Sequence, residues 1–155
     1  LSDVISKMID NLSNKLTPDL ETAIKNSSYN TYEILTMASL IEKEIPKDSD
    51  RSVVAGILWK RLKAGVPLQV DATLVYITGR NELYEADKKI NSRYNTYLYR
   101  GLPKGPIANP GLSAIKAAIF PETSPYWYYL SAKDGKTIFS KTLEEHNRNK
   151  AIYLK

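Results

Sequence analysis

Cysteine is absent from the 155 residues. Its absence excludes a disulfide framework, a thiolate metal site and a cysteine nucleophile, and leaves the compartment open. Histidine occurs once, at His146, so any mechanism needing two is excluded, and on its charged helix the default role of His146 is a surface or hydrogen-bonding one. No run approaches the roughly 18 consecutive apolar residues that span a bilayer, and Leu1-Ser2-Asp3 lacks the basic and apolar regions of a signal peptide. The chain as given therefore reads as soluble. Because it starts directly in helical periodicity without Met, it also reads as a piece of a longer protein, with an anchor or export signal outside it. Phosphate loop, dinucleotide fingerprint, HExxH and nucleophile elbow are all missing, which argues against nucleotide chemistry, a metalloprotease site and serine hydrolysis. Basic residues are scattered among acids rather than clustered with aromatics, so nucleic acid is not an expected partner.

What is present fits one ordinary domain: 43% hydrophobic and 25% charged residues, in a chain long enough to bury a core. The formal charge of +5 suits an anionic partner such as nucleic acid, acidic lipid or an acidic cell-wall polymer, while the same excess serves solubility alone.

Val4, Ile5, Met8, Ile9 and Leu12 recur at helical spacing from Leu1 to about Leu16, and Thr17-Pro18-Asp19 opens a second helix carrying Leu20, Ala23 and Ile24. These form an N-terminal helical segment over residues 1–30. From Thr31 to Glu44 the apolar residues nearly encircle the helix, which predicts a buried central element, and Pro46 stops it at or just after Glu44. Asp48-Ser49-Asp50 is suited to cap the next helix, which runs to about Lys63 with Gly65 as its stop. Pro67 to Val70 and Tyr76-Ile77 read as short extended pieces, and Thr78 to Arg93 as a polar surface excursion. Tyr94 to Gly111, dense in Pro, Gly and Asn, predicts an ordered loop of turns, and long loops of this kind are disproportionately functional. Ser113 to Ile119 resumes helical spacing. Asp134-Gly135 between two apolar runs predicts a hairpin, and a closing helix follows from Thr142.

Two carboxylates end the central helix. Glu42 and Glu44 point about 200° apart on a helix, so they cannot act as a pair. Glu44 shares its face with Met37, Leu40 and Ile41, the more apolar surroundings. Burial and the negative end of the helix dipole raise a carboxyl pKa, the requirement for a glycosidic general acid. The competing reading is a solvated Glu44 paired with Lys43 or Lys47. Asp71 is either a second carboxylate for sugar hydrolysis or a turn or cap ahead of Thr73. Tyr94, Tyr97, Tyr99, Tyr126, Trp127, Tyr128 and Tyr129 supply flat amphipathic surface suited to sugar rings; Tyr126 to Tyr129 equally fit a strand with one buried face.

The segments MASLIEKE (Met37 to Glu44), VAGILWKRL (Val54 to Leu62), PLQVDATLVY (Pro67 to Tyr76), YNTYLYRGLPKGPIANPG (Tyr94 to Gly111) and FSKTLEEHN (Phe139 to Asn147) resemble the MltG/YceG-like family of endolytic murein transglycosylases. The resemblance covers residues 31–155 as a catalytic domain. It implies non-hydrolytic cleavage of the MurNAc-GlcNAc β-1,4 bond in nascent peptidoglycan, leaving 1,6-anhydro-MurNAc ends, with Glu44 as the single acid/base and no metal or cofactor. By position it also implies that Gln69, Asp71, Tyr94, Asn95, Thr96, Asn109 and Ser140 bind the glycan or orient Glu44. Ile45, Ala72, Lys104 and Thr137 depart from the family's usual residues; Ile45 replaces a common hydroxyl and increases desolvation of the acid. Peptidoglycan strands are the implied partner, with peptidoglycan synthases as further candidates. Membrane attachment is implied only through a missing N-terminal anchor, placing the domain on the extracytoplasmic side. The expected fold is α+β, a helix-rich single domain with a small antiparallel element beside Glu44, locally lysozyme-like. A glycan-binding module without turnover and a two-carboxylate hydrolase using Asp71 are the alternatives.

Overall fold

A computed structural model describes residues 2–154. The side chains of Ser2, Ile5 and Met8 lie outside the described residues, as do Leu1 and Lys155. Among the described residues, seven α-helices, one short 3-10 helix (Asp87–Lys89, between α5 and α6) and one two-stranded sheet follow in the order α1 (Ser2–Lys15), α2 (Pro18–Lys25), α3 (Thr31–Glu44), α4 (Asp48–Lys63), α5 (Asp71–Thr78), α6 (Leu112–Ile119), β1 (Tyr128–Ser131), β2 (Thr137–Ser140) and α7 (Leu143–Tyr153). The domain is helix-rich α+β, as the sequence predicts.

α3 is the axis of the core. It starts at a capping box in which the Asn30 side chain accepts the Glu33 N–H at 3.0 Å and the Glu33 carboxylate accepts the Asn30 N–H at 2.9 Å. Ile34, Met37, Ala38, Leu40 and Ile41 are all fully buried against α4 and α6. Each large side chain among them contributes about 1.5–3 kcal/mol of hydrophobic stabilisation. Ile45, ahead of Pro46, turns to an extended conformation and ends the helix at Glu44. α6 brings Ala114, Ala117 and Ala118, whose small side chains allow close approach, and the Ala118 carbonyl accepts the Trp59 indole N–H at 3.0 Å. At Gly56 a Cβ would stand 1.9 Å from the Glu122 carbonyl oxygen, so only glycine lets α4 meet that backbone.

Two expectations are corrected. Tyr76 and Ile77 belong to α5, not to an extended piece. The Val70 carbonyl accepts both the N–H and the hydroxyl of Thr73, which starts a helical turn, and Gly79 at φ 70° ends it. Val75, Tyr76 and Ile77 favour a strand by propensity, but packing of Thr73 and Leu74 toward α3 overrides it. α4 begins at Asp48 itself, with Lys47 before it and no side-chain cap. Asp48 is instead drawn to Arg51 at 3.2 Å, and Arg51 also reaches the Ile45 carbonyl and Glu42.

Residues 94–111 form an ordered loop pinned along α3. Tyr32 donates to the Lys104 carbonyl at 2.8 Å, Ile107 N–H to Ser39 Oγ at 3.0 Å, and Gly111 N–H to Glu42 at 2.9 Å. β1 and β2 pair antiparallel with Tyr128 opposite Ser140, and the turn closes through Gly135 at φ 79°. Thr142 caps α7 by accepting the Glu145 N–H at 3.1 Å, and α7 packs on the hairpin.

Candidate active site

Glu44 is the last residue of α3, and two other elements hold its carboxyl. Its Oε1 accepts the Ala72 N–H from the first turn of α5 at 3.1 Å, and its Oε2 accepts the Tyr129 hydroxyl from β1 at 3.3 Å. Burial pushes the Glu44 carboxyl up to about 7 against an ordinary 4.5; the Ala72 N–H opposes that rise, the Asp71 charge adds to it, and the Tyr129 hydroxyl opposes it. Desolvation wins over two donors that favour the ionised form. A carboxyl near 7 is present in both states at neutral pH, as a group that must first give and then take a proton requires.

The carboxyl opens into a cleft of about 540 Å³ whose wall includes Gln69, Asp71, Tyr97, Tyr128, Tyr129 and His146. Tyr97 donates its hydroxyl to Asp71 Oδ1. Burial first, then the neighbouring carboxylate, holds the Tyr97 and Tyr129 hydroxyls well above the usual tyrosine range. Both therefore remain O–H donors around neutrality. Glu42, two residues from Glu44, faces elsewhere and pairs with Arg51 at 3.3 Å, which bears out the divergence expected of the two.

Of the residues singled out in the sequence, Glu44, Gln69, Asp71, Tyr97, Tyr128 and Tyr129 meet in this cleft, while Tyr99, Tyr126 and Trp127 do not line it. Asn95 and Thr96 lie buried behind it. The Thr96 carbonyl accepts the Gln69 N–H and its hydroxyl accepts the Val70 N–H, both at 3.0 Å, fixing the segment that delivers Ala72 to Glu44. Asn95 donates to the Ile90 carbonyl at 2.9 Å and accepts the Tyr97 N–H at 3.0 Å, setting the base of Tyr97. Tyr94 packs on Tyr76, with ring centroids 4.8 Å apart; Asn109 is exposed; and Ser140 is buried, accepting the Asn149 amide at 3.0 Å. None of these three lines the cleft, and the 94–111 loop contributes only Tyr97 to its wall.

Sequence reasoning missed Arg61 and the cleft position of His146. Arg61 is buried, and its guanidinium donates to the Pro67 carbonyl at 2.6 Å and to Gln69 Oε1 at 2.8 Å. Gln69 holds φ 54°, a left-handed conformation that a non-glycine residue adopts only when its surroundings enforce it. The Arg61 bond fixes the orientation of the Gln69 amide and leaves its N–H donors without a protein partner among the described residues. His146 stacks on Tyr128 with centroids 5.2 Å apart, and its Nδ1 is buried without a partner. Burial first, then Lys150 and Arg61, lower its pKa, so the ring is neutral at pH 7. Neither the Arg61 contact nor the left-handed Gln69 backbone has a sequence signal, and the charged face of α7 masks His146.

The YceG-like family model matches residues 1–152. The endolytic murein transglycosylase of Bacillus subtilis (strain 168) is 40% identical over 157 residues, covering 99% of this chain and 43% of that protein. The endolytic murein transglycosylase of Streptococcus pneumoniae serotype 2 is 33% identical over 162 residues, covering 99% of this chain and 29% of that protein. A crystal structure of a yceG-like protein from Listeria monocytogenes superposes with a TM-score of 0.89 at 37% identity, covering 95% of this chain and 48% of that one. The chain thus spans less than half the length of these relatives. With the family model matching nearly every residue, this chain belongs to the YceG-like family.

Proposed function

We propose that this domain is the catalytic part of an endolytic peptidoglycan lytic transglycosylase. The observation that carries the reading is Glu44: one carboxyl, raised to about 7, at the floor of a tyrosine-walled cleft. The murein transglycosylase relatives, matched across almost the whole chain, support the same class.

Protonated Glu44 gives its proton to the glycosidic oxygen as the bond from C1 of MurNAc to that oxygen breaks. The 2-acetamido carbonyl of the same sugar stabilises the cationic C1. The C6 hydroxyl then attacks C1, and ionised Glu44 takes its proton, closing a 1,6-anhydro ring and restoring the acid. Tyr129 and the Ala72 N–H hold the carboxylate while it is charged. Water takes no part in this sequence. In the whole protein the domain works outside the cytoplasm, tethered by a membrane anchor, on strands delivered by peptidoglycan synthases.

A second reading rests on Asp71, which shares the cleft and is engaged by Tyr97. Used as a base toward water, it makes the domain a hydrolase. The ends of the products separate the two: anhydro ends from the first, reducing ends from the second. A binding module without turnover yields neither. The deciding experiment is mass spectrometry of uncrosslinked strands treated with this chain and with Glu44→Gln.

A further inference from the structure

The cleft around Glu44 is lined by an excess of cations that the proton transfer does not use. Lys43 comes from α3, Arg61 from α4, Lys88 from the turn after α5, and Lys150 from α7. Glu44 and Asp71 are the only carboxylates on the same wall among the described residues. When Glu44 carries its proton, four cations face Asp71 alone. Lys88 is neutralised by Glu85 at 2.6 Å. Lys43 and Lys150 make no direct ion pair with a carboxylate among the described residues, and Lys150 is felt only at longer range by Glu85, which Lys88 already holds. Arg61 donates to neutral acceptors, the Pro67 and Trp127 carbonyls and Gln69 Oε1, so its charge is also uncompensated by a carboxylate.

Unpaired like charges converging on a cleft raise the local potential and favour an anion there. The sugar rings that Glu44 acts on are neutral, so the anion must be a substituent. A cut made inside a strand places every repeat unit in turn near the acid, whereas a lipid-linked pyrophosphate occurs at one end only. Muramyl sugars carry their peptide on the lactyl group at every repeat, and that peptide bears carboxylates.

We propose that Lys43, Arg61 and Lys150 form a subsite for a carboxylate-bearing peptide on the muramyl sugar beside the scissile bond. This rests on the transglycosylase reading for the identity of the strand, but not for the charge of the site. The subsite selects peptide-bearing strands over stripped ones through binding rather than through the chemical step. Exposed ion pairs are individually weak, so removal of Lys43 and Lys150 together is expected to weaken binding roughly five-fold.

The test is binding of the Glu44→Gln chain to uncrosslinked murein strands and to the same strands stripped of peptide by an amidase. Peptide-bearing strands are expected to bind about five-fold tighter, with the difference shrinking as salt rises. Lys43→Gln/Lys150→Gln should abolish the preference, while Lys25→Gln/Lys116→Gln, neither residue lining the cleft, should leave it. Equal binding of both strands, or equal loss from both pairs of substitutions, overturns the subsite. Competition by inorganic pyrophosphate with no effect of peptide stripping also overturns it, assigning the cations to the lipid-linked end. If the unmodified chain leaves strands uncut while the preference persists, the transglycosylase reading fails and the subsite stands; cleavage without preference is the reverse.

Discussion

The Tyr129 hydroxyl donates to Glu44 Oε2 at 3.3 Å, tying strand β1 to the last side chain of α3. The hairpin thereby does more than cover the core. It supplies one of two donors that stabilise the Glu44 carboxylate, against burial and Asp71, which stabilise its protonated form. Burial outweighs the two donors by enough to bring the group to about 7, which allows one residue to serve as both acid and base.

The first consequence is a pH profile. Cleavage begins with protonated Glu44, so kcat/KM on uncrosslinked strands should fall as pH rises through about 7. Rates measured from pH 5 to 9 check this. A limb near 4.5, the ordinary carboxyl value, would mean that burial does not raise the acid.

Two substitutions should move that limb in opposite directions. The Asp71 charge raises the Glu44 pKa, so Asp71→Asn should shift the limb to lower pH; the Tyr129 hydroxyl lowers it, so Tyr129→Phe should shift the limb upward. Tyr129→Phe should also reduce kcat about ten-fold, since one donor to the carboxylate is lost. Shifts of the same sign in both variants would contradict the balance described.

Stability should depend on pH through the same group. A carboxyl that rises from 4.5 to about 7 on folding binds its proton more tightly in the folded chain. Its contribution is full below 4.5 and is lost as pH rises through about 7, by at most about 3 kcal/mol. Glu44→Gln removes this dependence. In urea denaturation the variant should gain on the parent chain between pH 5 and pH 8; a constant difference across that range refutes the linkage.

Gln69 at φ 54° offers a separate test of backbone and side chain. Gln69→Gly relieves the left-handed strain and Gln69→Ala keeps it, so the glycine variant should be more stable than the alanine variant by about 1 kcal/mol. Both lose the amide, and both should show a higher KM. Arg61→Lys removes the forked contact to Pro67 and Gln69, and should raise KM while leaving the position of the pH limb unchanged. Urea midpoints and steady-state kinetics read these effects.

Local signals made much of the fold legible. Pro46 and the apolar encirclement of α3 placed Glu44 at the end of a buried helix, and Asp134-Gly135 marked the hairpin. α5 was not legible because Thr73, Val75, Tyr76 and Ile77 favour a strand by propensity in so short a segment, and only its packing on α3 decides for helix. The site was legible in part for a similar reason. Glu44, Gln69 and Asp71 sit in motifs along the chain, but the Arg61 contact to Gln69 and the His146 stack on Tyr128 exist only after α4, the 67–70 segment, β1 and α7 assemble. Asn95 and Thr96 stood out in the sequence, yet their amide and hydroxyl are spent on buried backbone, which no spacing rule reveals.

The most direct measurement is mass spectrometry of the fragments released from uncrosslinked peptidoglycan by this chain and by Glu44→Gln. Internal fragments ending in 1,6-anhydro-MurNAc should appear with the parent chain and fall by about 10²- to 10⁴-fold in the variant. Reducing ends, or anhydro ends formed equally well without the Glu44 carboxyl, would contradict a single-acid transglycosylase.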